Sequence, residues 1–115
     1  MYEGNNLEVA ATILEQLGVR RFIAMTGSKD FIGTEDSLLM TLSRNKSGAN
    51  RLKITLDFGT DTYSVRFYKY LPMRFDHKRG DFITPKEKDI YTLDEVYWDM
   101  LQEIFTDVTG LDTHL

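Results

Sequence analysis

Arg51-Leu52-Lys53-Ile54-Thr55-Leu56-Asp57-Phe58 is the stretch that decides the fold. Leu52, Ile54, Leu56 and Phe58 fall on one side, and Arg51, Lys53, Thr55 and Asp57 on the other. A period of two is the mark of an extended strand with one buried face, because successive side chains point to opposite faces. Gly59-Thr60-Asp61 makes a tight connection, and residues 62–71 continue as a second strand with Tyr63, Val65 and Phe67 inward. Strands joined by so short a loop pair antiparallel. Upstream, residues 37–44 alternate, with Leu38, Met40 and Leu42 on one face, and residues 44–50 are a polar loop. The apolar run Phe22-Ile23-Ala24-Met25 reads as a short buried strand over residues 21–26, followed by a turn at Gly27-Ser28-Lys29-Asp30. Pro72 has no N–H to donate and ends the ladder. Residues 73–76 and 82–84 flank a hairpin around Lys78-Arg79-Gly80.

Helical spacing marks the two ends of the chain. Ala10, Ile13, Leu14 and Leu17 recur at i, i+3, i+4 and i+7, with Asn5 or Asn6 as N-cap and Gly18 at the C-cap. Thr92-Leu93-Asp94-Glu95 fits a capping box. From there Leu93, Val96, Tyr97, Met100, Leu101, Ile104, Phe105 and Val108 trace a stripe, with Gly110 as the stop. The pattern predicts an α+β fold of order α-β-β-β-β-(β)-α in a single domain over residues 1–115. The antiparallel sheet carries both terminal helices on one face, which leaves its other face open to water or to a partner.

Composition narrows the function. The chain has 115 residues and no cysteine, so disulfides, thiolate catalysis and cysteine metal sites are excluded together, as suits a reducing compartment. No run approaches the ~18 apolar residues of a membrane span, and no signal-peptide pattern opens the chain. The expectation is a cytoplasmic protein without membrane contact. The net charge of −4 hides a segregation along the sequence. Residues 1–18 carry only acids, residues 19–80 carry twelve Lys and Arg against six acids, and residues 81–115 carry two Lys against nine acids.

The ingredients of catalysis are sparse. His77 sits in a charged turn and His114 lies next to the end; neither belongs to an H-x-x-x-H or H-E-x-x-H pattern. Asp99 and Glu103 read as a solvated helix face. Thr26-Gly27-Ser28-Lys29 lacks the spacing of a phosphate loop, although such a turn could hold one anion through backbone N–H groups. Ser28 has no evident histidine and acid to activate it. The chain therefore reads as a non-enzyme with no cofactor and no metal; a small pocket at Gly27-Ser28-Lys29 is the remaining enzymatic alternative.

The constellation that stands out is the outward face of the central strands. There Arg51, Lys53 and Thr55 lie beside Ser64, Arg66, Tyr68 and Tyr70, with Arg44 and Lys46 on the adjoining loop. Cations neutralise phosphates, and flat rings stack unpaired bases at ~1–3 kcal/mol each. Single-stranded nucleic acid is the partner this chemistry fits. The alternative is protein interaction: a host or element protein held by this face or by the acidic last helix, or a sheet-to-sheet homodimer.

Three stretches, Thr12 to Gly18, Arg21 to Phe31 and Met100 to Leu111, together with the Arg51 to Leu56 strand, resemble a group of small proteins of bacteriophages, prophages and other bacterial mobile elements. That group has no established function, so no residue role is carried over. The resemblance implies an accessory role in a mobile element, in the cytoplasm of a bacterial host.

Overall fold

The strand read from residues 51–58 is β3 (Arg51–Asp57), and its neighbour is β4 (Thr62–Leu71). They pair antiparallel in unbroken register from Arg51↔Tyr68 to Asp57↔Thr62. The computed structural model describes residues 7–113. Before these strands come α1 (Glu8–Leu17), α2 (Val19–Thr26), β1 (Lys29–Gly33) and β2 (Ser37–Thr41); after them come β5 (Arg74–Asp76), β6 (Asp81–Ile83), β7 (Lys86–Val96), a single 3-10 turn (Trp98–Met100) and α3 (Leu101–Thr109). The main sheet is antiparallel in the order β1-β2-β3-β4-β7, and β5 and β6 form a separate two-stranded ribbon. The fold is α+β, with helices at both ends of the chain.

One core forms between the helices and one sheet face. Ile13 and Leu17 of α1, Phe22 of α2 and Leu101, Ile104 and Phe105 of α3 pack with Leu38, Met40, Leu52, Ile54, Val65 and Phe67. Phe105 sits at its centre, edge-to-face with Phe22 (centroids 4.8 Å apart) and tilted against Phe67 (6.2 Å). At the edge, α1 lies directly on β1: a Cβ at Gly33 would come within 2.8 Å of the Ala10 Cβ. The residues expected to look inward from β3 and β4 do so, apart from Phe58, which lies beyond the end of β3 and is exposed.

Two expectations are corrected. Residues 21–26 are helix, not strand. A short apolar run cannot by itself be told from a buried helix segment, and here Gly18 (φ +101°) turns the chain so that α2 starts at once. The buried pair is then Phe22 and Thr26, one turn apart, and the Thr26 hydroxyl donates to the Phe22 carbonyl at 2.6 Å. The second correction concerns residues 92–96, the expected capping box and first turn of the last helix. They belong to β7, and helix begins only at Leu101. Leu93 and Val96 are three apart, as on a helix, yet they pair with Val65 and Tyr63, which are two apart. Glu95 is the extra residue, a bulge at φ +57°. An inserted residue in a strand puts positions i and i+3 on the same face, so bulged strand and helix share a sequence pattern here. Asp30 (φ +55°) plays the same part in β1.

Gly18 and Gly110 cap their helices in the left-handed conformation, as expected. The expected cap at Asn5 or Asn6 lies outside the described residues, as does His114. The hairpin around residues 78–80 is present as β5 and β6. It projects as an arm: the radius of gyration is 15.5 Å and the extents are 49 × 36 × 24 Å, against about 13 Å for a compact chain of this length. Among the described residues no helix is long and apolar enough to cross a membrane.

Candidate nucleic-acid interface

The strand register sorts charge along the strand axis. Antiparallel pairing places Lys29, Thr41, Arg51, residues 68–71 and residues 86–89 at one end of the sheet. The arm extends from that end, and the β2–β3 loop borders it. Lys29, Arg44, Lys46, Arg51, Lys69, Lys86 and Lys88 collect there, with Arg74, Lys78 and Arg79 on the arm: ten of the chain's fourteen Lys and Arg. The opposite end carries Glu35 and Asp36 in the β1–β2 turn, Asp57 and Asp61 around the β3–β4 turn, and Asp94 and Glu95 at the end of β7. A chain of net charge −4 thus has one basic pole and one acidic pole.

On the face away from the helices, Arg51 pairs with Tyr68 and Lys53 with Arg66 across β3 and β4. The Arg51 guanidinium lies 5.0 Å from the centre of the Tyr70 ring and donates to the Thr41 hydroxyl at 3.0 Å. The Arg66 guanidinium lies 4.0 Å above Tyr68. The rows that the alternation predicted are therefore gathered on one face, clear of the helix layer.

Two properties of this face were not expected. Tyr68 is only 5% exposed, with Arg66 over its ring, so its surface is not open for stacking. Burial, and then the Glu87 carboxylate, push its phenol above the usual value of 10.0 against the pull of Arg66 and Arg51. Arg66 itself is paired: Nε donates to Asp89 Oδ1 at 2.6 Å and Nη2 lies 3.1 Å from Glu87 Oε1. Burial alone would lower its pKa, but these two carboxylates raise it instead. The two acids were assigned by sequence to an acidic flank; the structure puts them on β7 beside the basic rows. Lys86-Glu87-Lys88-Asp89 carries the signal, since strict alternation of sign in a strand sends both acids to one face and both lysines to the other.

Those lysines lie at the same end of the sheet on its opposite face. Lys88 lies directly opposite Lys69, and Lys86 opposite Leu71. Like charges opposed across a ladder are unfavourable, and no carboxylate forms an ion pair with either lysine among the described residues. Tyr91, 42% exposed, follows on the same strand.

The loop residues divide. Arg44 is exposed beside the sheet end. Lys46 is exposed too, but its backbone N–H donates to the Thr109 carbonyl at 3.2 Å and its stem lies along Gly110. It therefore sits at the C-terminal end of α3, where a cation complements the helix dipole, and not on the open face. Asn50 continues the ladder: its side chain accepts from the Tyr70 N–H at 2.7 Å and donates to the Tyr70 carbonyl at 3.0 Å.

The turn at Gly27-Ser28-Lys29 has its polar groups satisfied internally. Ser28 is 3% exposed, its hydroxyl is bonded to that of Thr26 at 2.8 Å, and its N–H donates to the same oxygen at 3.2 Å. His77 is exposed and packs edge-to-face on Phe75. Among the described residues no group of three or more His, Asp or Glu is placed to hold a metal ion. Comparison with protein-family models, curated proteins and solved structures finds nothing that matches this chain.

Proposed function

We propose that the chain is a non-enzymatic module that binds single-stranded nucleic acid at its basic pole. The observation that carries this reading is the gathering of ten cations against five acids (Asp30, Asp76, Asp81, Glu87 and Asp89) at one end of the sheet, several in no ion pair among the described residues, beside the exposed side chains of Tyr91 and of Phe75 and Phe82 on the arm. Phosphates would be held at this end of the sheet from both sides, by Arg51 and Lys53 on the open face and by Lys69 and Lys88 on the opposite face, with Arg44 at the border. Tyr70 under Arg51, together with the exposed rings, would offer surfaces for bases, for which stacking is worth ~1–3 kcal/mol each. Arg66 and Tyr68 become a support: they fix the face through their own stack and the two acids of β7. The acidic pole repels a polyanion and so orients its approach. The resemblance to proteins of mobile elements, which handle DNA, supports the reading.

The test is fluorescence anisotropy of a labelled oligothymidylate. Binding at micromolar affinity or tighter is expected at ~50 mM salt, weakening as salt rises. No binding at low salt overturns the proposal. A protein captured by the same face, with no oligonucleotide bound, would favour the interaction module instead.

A further inference from the structure

We propose that the chain self-associates head to tail, the β5–β6 arm of one copy docking into the groove beside Trp98 of the next.

The arm lacks a partner of its own. A two-stranded hairpin alone in water is marginally stable at best, and β5 and β6 pack principally on each other. Met73 is 59% exposed, Phe75 44% and Phe82 56%, and the two rings stand edge-to-face at 5.2 Å. Beside this apolar pad the turn carries Lys78 and Arg79, neither in an ion pair among the described residues, while Arg74 stands with Asp76 and Asp81 on the ribbon's other face. Apolar surface of this kind, exposed on a projecting element, marks a contact.

The complementary surface is on the helix layer. Trp98, 61% exposed, stands at the mouth of a groove of ≈ 550 Å³ between α1 and α3. Gln16, Gln102 and Thr106 line it, and Asp99, Glu103, Asp107 and Asp112 rim it, all four exposed and outside any ion pair among the described residues. An aromatic anchor inside a ring of carboxylates matches an aromatic pad with two cations, Lys78 and Arg79, at its tip. Tyr97 and Met100 extend the apolar surface beside Trp98. The arm reaches outward: three paired residues per strand and the turn project ~15 Å at ~3.3 Å per residue. Arm and groove are different surfaces of one chain, so the contact is heterologous. A pair joined this way keeps one free arm and one free groove, so the assembly grows into a ring or a filament.

Sedimentation velocity without nucleic acid tests this independently of the function proposed above. At ~100 μM protein and ~50 mM salt the wild-type chain is expected to run as a mixture heavier than monomer, collapsing to monomer at ~0.5 M salt where charge pairs are screened. Lys78→Glu with Arg79→Glu, and separately Glu103→Lys with Asp107→Lys, should each weaken association at least tenfold, and mixing the two variants should restore it. Phe82→Ser, on an exposed ring outside the core, should weaken it while circular dichroism stays unchanged. A wild-type chain that is monomeric at low salt, assembly that survives both charge reversals, or a mixture that fails to reassemble would each overturn the inference. Association seen only when oligonucleotide is added would also overturn it, while leaving the binding proposal standing.

Discussion

Phe105→Ala tests the core that orients the sheet. The ring is 1% exposed and bridges α3 to Phe22 of α2 and Phe67 of β4. Removing a buried phenylalanine costs ~3–5 kcal/mol, the lost transfer energy plus the cavity left behind. The edge-to-face contact with Phe22 accounts for ~0.5–1.5 kcal/mol of that beyond area burial. A chain of 115 residues has an unfolding entropy of about 0.24 kcal/mol/K, so a loss of ~4 kcal/mol lowers Tm by about 17 °C. Such a loss is a large share of the ~5–15 kcal/mol of a whole domain. Urea unfolding followed by far-UV circular dichroism is the assay, because the exposed Trp98 is a poor reporter of the core. Phe82→Ala on the arm is the control and should stay within ~0.5 kcal/mol. A Phe105→Ala loss below ~1 kcal/mol would mean that α3 does not lie on this sheet face, and the open face opposite would lose its basis. Phe22→Ala combined with Phe105→Ala should lose less than the sum of the two single changes.

Gly33→Ala drives a methyl into Ala10 and should cost ~1–3 kcal/mol by overpacking; in a double-mutant cycle with Ala10→Gly, equilibrium unfolding should show coupling of at least ~0.5 kcal/mol. Tyr68 is held neutral in the folded state, with its pKa raised by burial and by Glu87. A raised folded pKa contributes stability that is complete below the ordinary tyrosine value of 10.0 and is lost as pH climbs past it. Unfolding measured from pH ~9 to ~11.5 should therefore fall less steeply in Tyr68→Phe than in wild type. Tyr63, also raised, by burial and by Asp61 against its bond to Gln16, keeps a residual slope in that variant. Glu87→Gln with Asp89→Asn removes two carboxylates from beside the basic rows and frees Arg66 from its ion pairs; oligonucleotide affinity should rise several-fold, and unchanged or weaker binding in anisotropy would show that this face lies outside the interface. The stability cost should be small, since exposed ion pairs are worth ~0.2–1 kcal/mol.

Much of the sheet was legible because its central strands follow one alternation, broken in burial only at Thr62 and Tyr68 of β4. β3 and β4 are half-buried, so each residue reports its face, and Thr62–Leu71 is found to the residue. The misread segments are those where local pattern serves two structures equally. Phe22-Ile23-Ala24-Met25 fits strand or helix until Gly18 is seen to turn the chain. Leu93 and Val96 keep helical spacing because Glu95 bulges. Positive φ at a glutamate is not written in apolar periodicity, and the long strand β4 needed a partner that only the tertiary pairing reveals. The same mechanism hid part of the site. Once residues 86–96 are strand, Glu87 and Asp89 move from an acidic flank onto the basic face, and Lys69 meets Lys88. The basic rows of β3 and β4 were readable from alternation; their neutralisation was not, because it comes from a strand some twenty residues away in sequence. The sorting of charge into two poles likewise follows from antiparallel register, which interleaves cations from β1, β3, β4 and β7 that are scattered along the chain.

Salt-dependent anisotropy on the wild-type chain and on Lys69→Ala with Lys88→Ala tests the basic pole most directly. For single strands the slope of log K against log salt is ~0.7 per phosphate neutralised. The account predicts a clear negative slope for wild type and one shallower by about 1.4 for the double variant. Equal slopes for the two chains, or wild-type affinity indifferent to salt, would contradict it.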